Sequence, residues 1–405
     1  MPPGFFNWFG WGAPAPLPSP LPAADPESQA IHDWFSQNQK SNPVGLVTSY
    51  PEEIGFFDQA FTYDQALSGI LFLKHGNKDA ARKIFDFLRS KWDGQGCWTV
   101  YNSKVEDGST LEYMKVMGPT AWVGIFAMHY FSATQDPKAV ELALKIARWI
   151  KELPHKNGGV AMGSEDFWKN IYSVENNLDY YALLQALLPK VQDAGEKQFF
   201  SDEFGELREW FENKSYDNEL GLFKRGEIDK TQSLDTNAWS LLVFGVPEIE
   251  KLFGINTHDF ISRTENAFKV QDSGNFSGDV LTAKGFDFSN AQNAASSGRK
   301  GIKWVEGTNQ MVVAYHSLKE HFSKPEVNDA AKASHYENRI AHFCQKNADN
   351  RFSDGALAAY HYTDKPGAKI WWDNPYWMAS KGSAAASSAW VYFSLNKVNP
   401  FAISV

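Results

Sequence analysis

The sequence predicts one all-α (α/α)6 toroid, in which twelve helices form an inner and an outer ring. Three observations predict this fold. Helical periodicity dominates from Asp25 onward, strongly apolar helices alternate with amphipathic ones, and five long connections separate successive helix pairs. A helix that is apolar nearly all round is buried, whereas a striped helix keeps a solvent face. The apolar set is therefore expected inside and the striped set outside.

The helices are taken in order along the chain. Asp25-Pro26 is a helix start signal and opens the first predicted helix, residues 25–40. The inner, strongly apolar helices are predicted at 59–75, 119–133, 175–188, 235–245, 306–322 and 383–396. The outer, amphipathic helices are predicted at 77–92, 137–152, 198–213, 257–270 and 326–347. The first helix has no inner partner before it and the last has no outer partner after it, so the two are expected to pair and close the ring.

The connections differ in length according to their direction. Inner-to-outer turns are mostly short, as at Gly76-Asn77, whereas the outer-to-inner connections are long: about 93–118, 153–174, 214–233, 271–305 and 348–382. Turn residues followed by aromatic and β-branched residues predict small β-hairpins in them. Loops longer than about 12–15 residues in a compact domain are usually functional. All five lie at the N-termini of the inner helices, so that face is expected to hold the active or binding cleft.

Composition limits the class of protein. The chain has 405 residues and a formal net charge of −9, which argues against a nucleic-acid partner because phosphates require a basic surface. No apolar run approaches the roughly 18–20 residues of a membrane span. Cys97 and Cys344 are too few for a disulfide framework or a cysteine zinc site, although one bridge stays open. No cofactor is expected, and the oligomeric state and cellular location are open.

The domain organisation is expected to be an arm, residues 1–24, followed by a single toroid domain, residues 25–405. The arm is rich in Pro and aromatic residues and has no Lys or Arg, and its alternating prolines do not fit the apolar stretch of a secretory signal. It is expected either to extend along the body through Phe5, Trp8 and Trp11 or to be disordered.

Polar motifs mark the beginning of each of five inner helices. They are Phe57-Asp58-Gln59 with Thr62-Tyr63-Asp64-Gln65, Gly118-Pro119-Thr120-Ala121-Trp122, Ser173-Val174-Glu175-Asn176-Asn177-Leu178-Asp179, Leu234-Asp235-Thr236-Asn237-Ala238-Trp239, and Trp304-Val305-Glu306-Gly307-Thr308-Asn309-Gln310. With these motifs and the twelve-helix rhythm, residues 25–397 resemble the six-hairpin glycosidase superfamily of (α/α)6 barrels, without matching one family in it. Because that superfamily also contains epimerases, uronate-acting enzymes and lyases, the resemblance implies carbohydrate chemistry in general.

Acidic residues near the inner-helix N-termini are the catalytic candidates. Glycoside hydrolysis requires two carboxyl groups on opposite sides of the scissile bond, one to protonate the leaving oxygen and one to activate water or attack carbon. We select Glu175 and Glu306 as the working pair because they belong to different inner helices, and leave open which is the acid. Asp64, Asp179 and Asp235 are expected to support them. Each acid could instead serve only as a cap or a dipole partner of its helix.

Aromatic and amide side chains in the same region are the candidates for substrate binding, because sugar rings present apolar C–H faces and hydroxyl edges. The candidates are Asp58, Trp122, Asn176, Asn237, Gln310, Trp98, Trp168, Trp304, Trp372, Tyr376 and Trp377. The alternative for most of the aromatic residues is simple packing in a large ring. Arg299, Lys300 and Lys303 could bind an anionic sugar or only solvate their loop.

Two other chemistries and a non-catalytic role are the alternatives. An epimerase of this architecture is expected to transfer protons through histidines. His129 and His316 lie about ten residues into inner helices, which favours core histidines with satisfied hydrogen bonds. No metal-binding residue is assigned: a zinc site is not expected, since His342 and Cys344 are two residues apart and point to different helix faces, and calcium bound by loop acids stays open. The leading hypothesis is a glycoside hydrolase acting on an oligo- or polysaccharide; a sugar epimerase or polysaccharide lyase, or a glycan-binding scaffold, is the alternative.

Overall fold

The inner ring is closed by six helices. The computed structural model describes residues 25–352, 355–371 and 377–403, and the statements below concern these residues. The inner helices are α2 (Thr62–Lys74), α4 (Met117–Thr134), α6 (Val174–Leu187), α8 (Leu234–Phe244), α12 (Val305–Ser323) and α14 (Ala385–Leu395). Each packs against the next in this order, and α14 packs against α2. Their side chains are buried on nearly every face, as the apolar sequences predict.

The outer ring consists of the amphipathic helices. They are α1 (Pro26–Lys40), α3 (Lys78–Ser90), α5 (Pro137–Lys151), α7 (Ala194–Trp210), α10 (Thr257–Phe268) and α13 (Ala330–Lys346). Each of the last five packs against the inner helix of its own pair, and α1 packs against α14. The predicted pairing of the first and last helices is therefore confirmed, and with it the toroid.

Each long connection contains a short antiparallel strand pair. In the first, β2 (Trp98–Asn102) pairs with β3 (Thr110–Lys115) and also with β1 (Gln59–Phe61). The others are two-residue pairs: β4 (His155–Lys156) with β5 (Gly159–Val160), β6 (Tyr216–Asp217) with β7 (Leu222–Phe223), β8 (Lys269–Val270) with β9 (Gly285–Phe286), and β10 (Arg351–Phe352) with β11 (Ala359–Tyr360). The predicted hairpins are confirmed in all five connections.

Two short helices were not predicted. Helix α9 (Val246–Phe253) lies in the turn between α8 and α10, and α11 (Ala291–Ser296) lies in the connection before α12. The beginning of α9 carries a helix start signal, because Pro247 stands in the first turn and Glu248 follows it. Helix α11 has only six residues, which is too short for an apolar period to be visible.

The far end of the barrel is closed by the segment that follows α14. Phe401 packs against Trp122 and Trp239, at ring-centroid distances of 4.9 and 5.3 Å. His129 Nε2 contacts the Pro400 carbonyl oxygen at 2.8 Å, which anchors the same segment. The sulfurs of Cys97 and Cys344 are not bonded to each other. Within the described residues, no helix is both long enough and apolar enough to span a membrane.

Candidate active site

A cavity of about 250 Å³ lies at the centre of the ring, among the N-terminal ends of the inner helices. All six inner helices contribute to its wall, together with the segments that precede α2, α12 and α14. The lining residues are Tyr50, Phe61, Tyr63, Asp64, Gly118, Pro119, Trp122, Glu175, Asn176, Asp179, Asp235, Trp239, Phe288, Trp304, Glu306, Gln310, Tyr362, Trp377 and Ala386. The cavity therefore lies on the face that the loop lengths predict.

The inner helices present equivalent positions to this cavity. The second residue of every one of the six lines it: Tyr63, Gly118, Glu175, Asp235, Glu306 and Ala386. Residues four apart share a helix face, so the sixth residue lies one turn deeper on the same side. In four of the helices this sixth residue also lines the cavity: Trp122, Asp179, Trp239 and Gln310. The side chains that line the cavity are thus concentrated at the second and sixth positions of the repeated inner helix.

The fourth residue of each inner helix has a different and equally regular role. In all six it is Gln, Thr, Asn or Ser, and its side chain accepts a hydrogen bond from a backbone N–H in the connection that precedes the helix. The pairs, side chain first, are Gln65 with Val47, Thr120 with Cys97, Asn177 with Val160, Asn237 with Phe223, Thr308 with Phe286, and Ser388 with Tyr360. These bonds fix the connections against the helices whose second residues form the site.

Glu306 is held by two donors. Its Oε1 accepts a hydrogen bond from the Tyr63 hydroxyl at 2.8 Å and from Gln310 Nε2 at 3.3 Å. Tyr63 is oriented in turn by the indole N–H of Trp390, which donates to the phenol oxygen at 2.9 Å. Burial raises the pKa of Glu306 to about 8, against the lowering effect of Tyr63 and with a further rise from Asp64. Glu306 is thus a carboxyl oriented as an acceptor.

Glu175 and Asp235 form a second acidic centre beside it, on the adjacent helices α6 and α8. Burial, followed by the charge of Asp235, raises the pKa of Glu175 to about 8, whereas Arg225 lowers it. Burial also raises the pKa of Asp235, although Ser233 and the Thr236 amide both donate to its Oδ1, at 2.5 and 2.6 Å. Glu175 has no hydrogen-bond donor of this kind among the described residues. Of the two, Glu175 is the carboxyl more readily kept protonated.

Asp64 and Asp179 complete the set of five acids. Burial raises the pKa of Asp64 to about 7 and moves the pKa of Asp179 well above its usual range. Asp179 lies one turn below Glu175 on α6, and the charge of Glu175 raises its pKa further. A cavity that raises the pKa values of all five acids is a low-dielectric site, where proton transfer near neutral pH is feasible.

Aromatic rings form the floor and one wall of the cavity. On the floor, the Trp122 ring lies 5.3 Å from Tyr63 and 5.7 Å from Trp239, both edge to face. On the wall, Phe288 contacts Trp304 at 5.3 Å and Trp377 at 4.6 Å, between ring centroids. Such surfaces suit the apolar C–H faces of a sugar ring.

Polar atoms without a protein partner are concentrated around the same cavity. Among the described residues, thirteen buried side-chain N or O atoms have no hydrogen-bond partner, and seven of them belong to residues that line it. These seven are Asp64 Oδ2, Trp122 Nε1, Asn176 Oδ1, Asp179 Oδ1, Trp239 Nε1, Trp304 Nε1 and Gln310 Oε1. An unmade buried hydrogen bond costs about 1–3 kcal/mol. This concentration suits a site that binds a ligand rich in hydroxyl groups.

The structure brings together most of the site residues that the sequence suggests. All five acidic candidates line the cavity, as do Trp122, Asn176, Gln310, Trp304 and Trp377. Asp58, Trp98, Trp168 and Asn237 lie outside the lining. Trp372 and Tyr376, like Phe5, Trp8 and Trp11 of the arm, lie outside the described residues. Whether any of these side chains binds a substrate stays a prediction.

The candidates outside the lining have identifiable local contacts. Asp58 Oδ2 accepts a hydrogen bond from Asn102 Nδ2 at 3.2 Å, next to the β1–β2 pair. The Trp98 ring packs under Lys115 Nζ at 4.3 Å from the ring centroid, and Trp168 packs against Phe167. Asn237 occupies the fourth position of α8, where its side-chain oxygen accepts a hydrogen bond from the Phe223 backbone N–H.

Sequence reasoning missed Tyr50, Tyr63, Trp239 and Tyr362 as lining residues, and Arg225 beside the acids. The signal for Tyr63 and Trp239 was present, since they stand at the second and sixth positions of their helices. Arg225 lies in the connection between β7 and α8, where its guanidinium stacks over the Trp371 ring at 4.2 Å and pairs with Asp229 at 3.1 Å. No sequence spacing indicates that contact.

The histidines lie outside the lining of the cavity. All ten histidines belong to the described residues, and none of them lines it. His129 and His316 bind the backbone carbonyls of Pro400 and Ser394, and burial lowers their pKa values to about 3 and about 4. Among the described residues, no group of three His, Cys, Asp or Glu side chains is placed to hold a metal ion.

Comparison with known proteins gives structural but not sequence relatives. No family model matches the chain, and no curated protein is similar to it in sequence. A wild-type glycosidase matches its structure with a TM-score of 0.60 and 11% sequence identity, over 92% of this chain and 96% of that one. A cellobiose 2-epimerase from Bacillus thermoamylovorans B4167 matches with a TM-score of 0.60 and 11% identity, over 91% and 100%. A D-mannose isomerase matches with a TM-score of 0.62 and 10% identity, over 92% and 95%. At these identities the likeness establishes the fold.

Proposed function

From the (α/α)6 fold that this chain shares with the six-hairpin glycosidase-like superfamily, we propose that it is a carbohydrate-active enzyme, and specifically a glycoside hydrolase acting on an oligo- or polysaccharide. The observation that carries the proposal is the convergence of Glu175 and Glu306 in one cavity. They come from α6 and α12, which flank α8 in the ring. Two carboxyls on separate supports can flank one glycosidic bond.

The surroundings of the two glutamates suggest their roles. Glu306 accepts hydrogen bonds from Tyr63 and Gln310, which favours the carboxylate. We therefore assign it as the general base or nucleophile. Burial raises the pKa of both glutamates to about 8, so their neighbours distinguish them: Glu175 has no such donor among the described residues and lies beside the acidic Asp235, which favours the protonated acid. Glu175 is then the general acid near neutral pH.

The reaction follows from these assignments. Glu175 gives its proton to the glycosidic oxygen as the bond from that oxygen to the anomeric carbon breaks. In the inverting route, a water attacks the anomeric carbon and loses its proton to Glu306. In the retaining route, Glu306 itself attacks the anomeric carbon. A later water then displaces Glu306 from that carbon and gives its proton to Glu175, which becomes the acid again. We expect Asp64, Asp179 and Asp235, which line the same cavity, to form hydrogen bonds with sugar hydroxyls over the floor of Trp122 and Trp239.

Epimerisation and isomerisation are the competing reactions, because structural relatives carry those activities in their names. Proton transfer at a sugar carbon by imidazole would need a histidine in the cavity. None of the ten histidines, all within the described residues, lines it. The lining therefore disfavours the imidazole route to both reactions, and the carboxyl pair from separate helices supports hydrolysis. The name of one relative, a glycosidase variant in complex with glucose, is consistent with a site for a hexose unit.

The test is NMR of anomeric protons during incubation with a panel of oligo- and polysaccharides. We expect new reducing ends, and the first-formed anomer identifies the inverting or the retaining route. Glu175→Gln and Glu306→Gln should each lower kcat at least a thousandfold while substrate still binds, and Glu165→Gln, on the same face but outside the cavity, should have no effect. A changed sugar without chain cleavage, or unsaturated ends, would replace hydrolysis with epimerisation or elimination. Binding without turnover in every variant would leave a glycan-binding scaffold.

A further inference from the structure

The Asp, Glu, Lys, Arg and His side chains that line the cavity among the described residues are all acidic ones. Five carboxyl groups line it, and no Lys, Arg or His side chain does so among the described residues. Residues 372–376, which lie outside the described residues, are Trp, Asp, Asn, Pro and Tyr and include no basic residue. The cavity wall therefore offers an anionic ligand no cation in direct contact.

Three basic side chains are engaged in other contacts: Arg225, whose charge acts on Glu175 and Asp235, and Arg299 and Lys303, which precede Glu306 in the sequence. Arg225 pairs with Asp229 and stacks on Trp371. Arg299 makes two hydrogen bonds to the buried Asp287, at 2.5 and 2.9 Å. Lys303 Nζ donates to the Lys346 carbonyl oxygen at 2.6 Å. Of the three side chains that the sequence offers for an anionic sugar, Arg299 and Lys303 thus serve other contacts in the folded protein, and Lys300 is exposed and does not line the cavity.

A sugar carboxylate in this cavity would be a buried charge without a cationic partner among the described lining residues. Such a charge is disfavoured in a low-dielectric space, and any cavity acid that ionises beside it adds a repulsion stronger than in water. A neutral hydroxyl or a protonated amine meets the opposite situation, because the unpartnered oxygens of Asp64 and Asp179 can accept its hydrogens. The difference between these ligands depends on charge and not on ring shape.

We propose that this cavity selects its sugar unit by charge, accepting neutral sugars and protonated amino sugars and rejecting uronic acids. The inference rests on the proposed function only in taking the cavity to be a sugar site. It names the substrate class within that function: a glycan whose bound unit carries no carboxylate. Under this proposal the chain differs from enzymes of the same fold that act on uronates.

The test uses three monosaccharides with the same ring and different charge: glucose, glucosamine and glucuronate. Binding to the wild-type protein is measured by calorimetric titration or ligand-observed NMR at neutral pH. We expect glucosamine to bind at least as tightly as glucose, and glucuronate to bind at least about tenfold more weakly. Asp235→Asn keeps the side-chain shape and removes the acid whose carboxylate Ser233, the Thr236 amide and Arg225 favour, so it should narrow the gap in affinity between glucose and glucuronate. Asp166→Asn, on an exposed loop of the same face, should leave it unchanged.

The outcomes separate this inference from the hydrolase proposal. Selective binding without hydrolysis would support charge selection while removing the hydrolase. Release of glucuronate from a glycan would support a hydrolase while overturning charge selection. Equal binding of all three sugars, or no binding of any of them, would also overturn the inference.

Discussion

Glu306 takes its orientation from a short chain of hydrogen bonds, in which Trp390 donates to Tyr63 and Tyr63 donates to the carboxyl. The Tyr63 hydroxyl stabilises the carboxylate and so lowers the pKa of Glu306 against the effect of burial. We predict that Tyr63→Phe raises the pKa of Glu306 further and lowers kcat/KM about tenfold to a hundredfold, the scale of a lost hydrogen bond to a charged group. The acid limb of the pH profile should move to higher pH, since Glu306 acts as the carboxylate.

The pH profile of kcat/KM checks this prediction. Tyr180→Phe is the matched control, because its buried hydroxyl binds the Ala147 carbonyl oxygen outside the cavity. An unchanged profile in Tyr63→Phe would assign Tyr63 to packing alone.

Arg225 acts on the second acidic centre through its charge. It lowers the pKa of Glu175 and of Asp235, against burial in both cases. We predict that Arg225→Met raises both pKa values and moves the alkaline limb of the pH profile to higher pH, because Glu175 acts as the protonated acid. Arg225→Lys keeps the positive charge and should retain most of the wild-type profile. A limb that moves downward in Arg225→Met would contradict the assignment of Glu175 as the acid.

At this scale the acids were predictable and their partners were not. An acid in the first turn of an apolar helix is visible in the sequence, because it interrupts an otherwise buried pattern. Tyr63 is itself consistent with an apolar helix, so its role as a donor to Glu306 depends on a contact between residues 243 positions apart. Arg225 likewise acts through the loop conformation that brings it to Trp371.

In each inner helix, the position of a residue determines whether it lines the cavity or holds the preceding connection. The second residue of each inner helix faces the cavity, and the fourth, rotated by about half a turn of the helix, faces the preceding connection. Asn176 and Asn237 illustrate the difference. Asn176 lines the cavity with an unpartnered Oδ1. Asn237 accepts from the Phe223 N–H at 2.9 Å and donates to the Ser233 carbonyl oxygen at 2.8 Å.

We predict opposite consequences for these two asparagines. Asn237→Ala should lower the free energy of unfolding by about 2–3 kcal/mol, because it leaves a buried backbone N–H without a partner, and should leave KM unchanged. Asn176→Ala should raise KM with little loss of stability. Urea denaturation and steady-state kinetics measure both. A raised KM in Asn237→Ala at unchanged stability would contradict this structural role and would indicate that Asn237 binds the substrate.

Gly118 allows α4 to approach the acids of α6. A Cβ at this position would lie 2.5 Å from Asn176 Nδ2 and 3.1 Å from Asp179 Oδ2. We predict that Gly118→Ala lowers stability by about 1–3 kcal/mol and reduces activity by displacing these two side chains. Gly205→Ala on α7 is the control, because a Cβ there meets nothing within 4 Å, and it should raise stability by about 0.5–1 kcal/mol. Equal stability changes in the two variants would exclude a close contact at Gly118.

The elements themselves were largely predictable because apolar periodicity and turn residues are local signals. Helix boundaries differ from the predicted ones by a few residues, with α7 beginning at Ala194 and continuing through a wider turn at Phe211–Ser215. The hydrogen bonds of the fourth residues were not predicted. Gln, Thr, Asn and Ser near a helix beginning can also be helix caps or substrate-binding residues, so the residue type alone does not indicate such a bond. Alignment of the six helix beginnings on that position would have revealed them.

The whole molecule is a ring with two different ends. The cavity end carries raised pKa values and unpartnered polar atoms, whereas the other end is filled by Phe401 against Trp122 and Trp239. The same two tryptophans form the cavity floor, so the C-terminal segment supports the site from below. This contact was not predictable, because nothing in the residues after α14 indicates that the chain returns into the barrel.

The acids of the cavity are expected to make stability depend on pH. Burial raises the pKa of Glu175 and Glu306 to about 8, from an ordinary value near 4.5 in the unfolded chain. Between these values the folded protein binds more protons than the unfolded chain, so stability falls as pH rises. The penalty is absent below about pH 4.5 and complete above about pH 8. His129 and His316 act in the opposite direction only below about pH 6.5, where the unfolded chain gains their protons.

We therefore predict a fall in unfolding free energy between about pH 6.5 and pH 8.5, a window in which these histidines contribute little. Urea denaturation at several pH values in this window measures it. The double variant Glu175→Gln/Glu306→Gln removes two titrating groups, so its stability should fall less steeply and should exceed that of the wild type at the upper end. Glu165→Gln, outside the cavity, should reproduce the wild-type slope. Parallel slopes in the wild type and the double variant would mean that the two glutamates are already ionised in the folded protein, and the assignment of Glu175 as a general acid would then fail with the prediction.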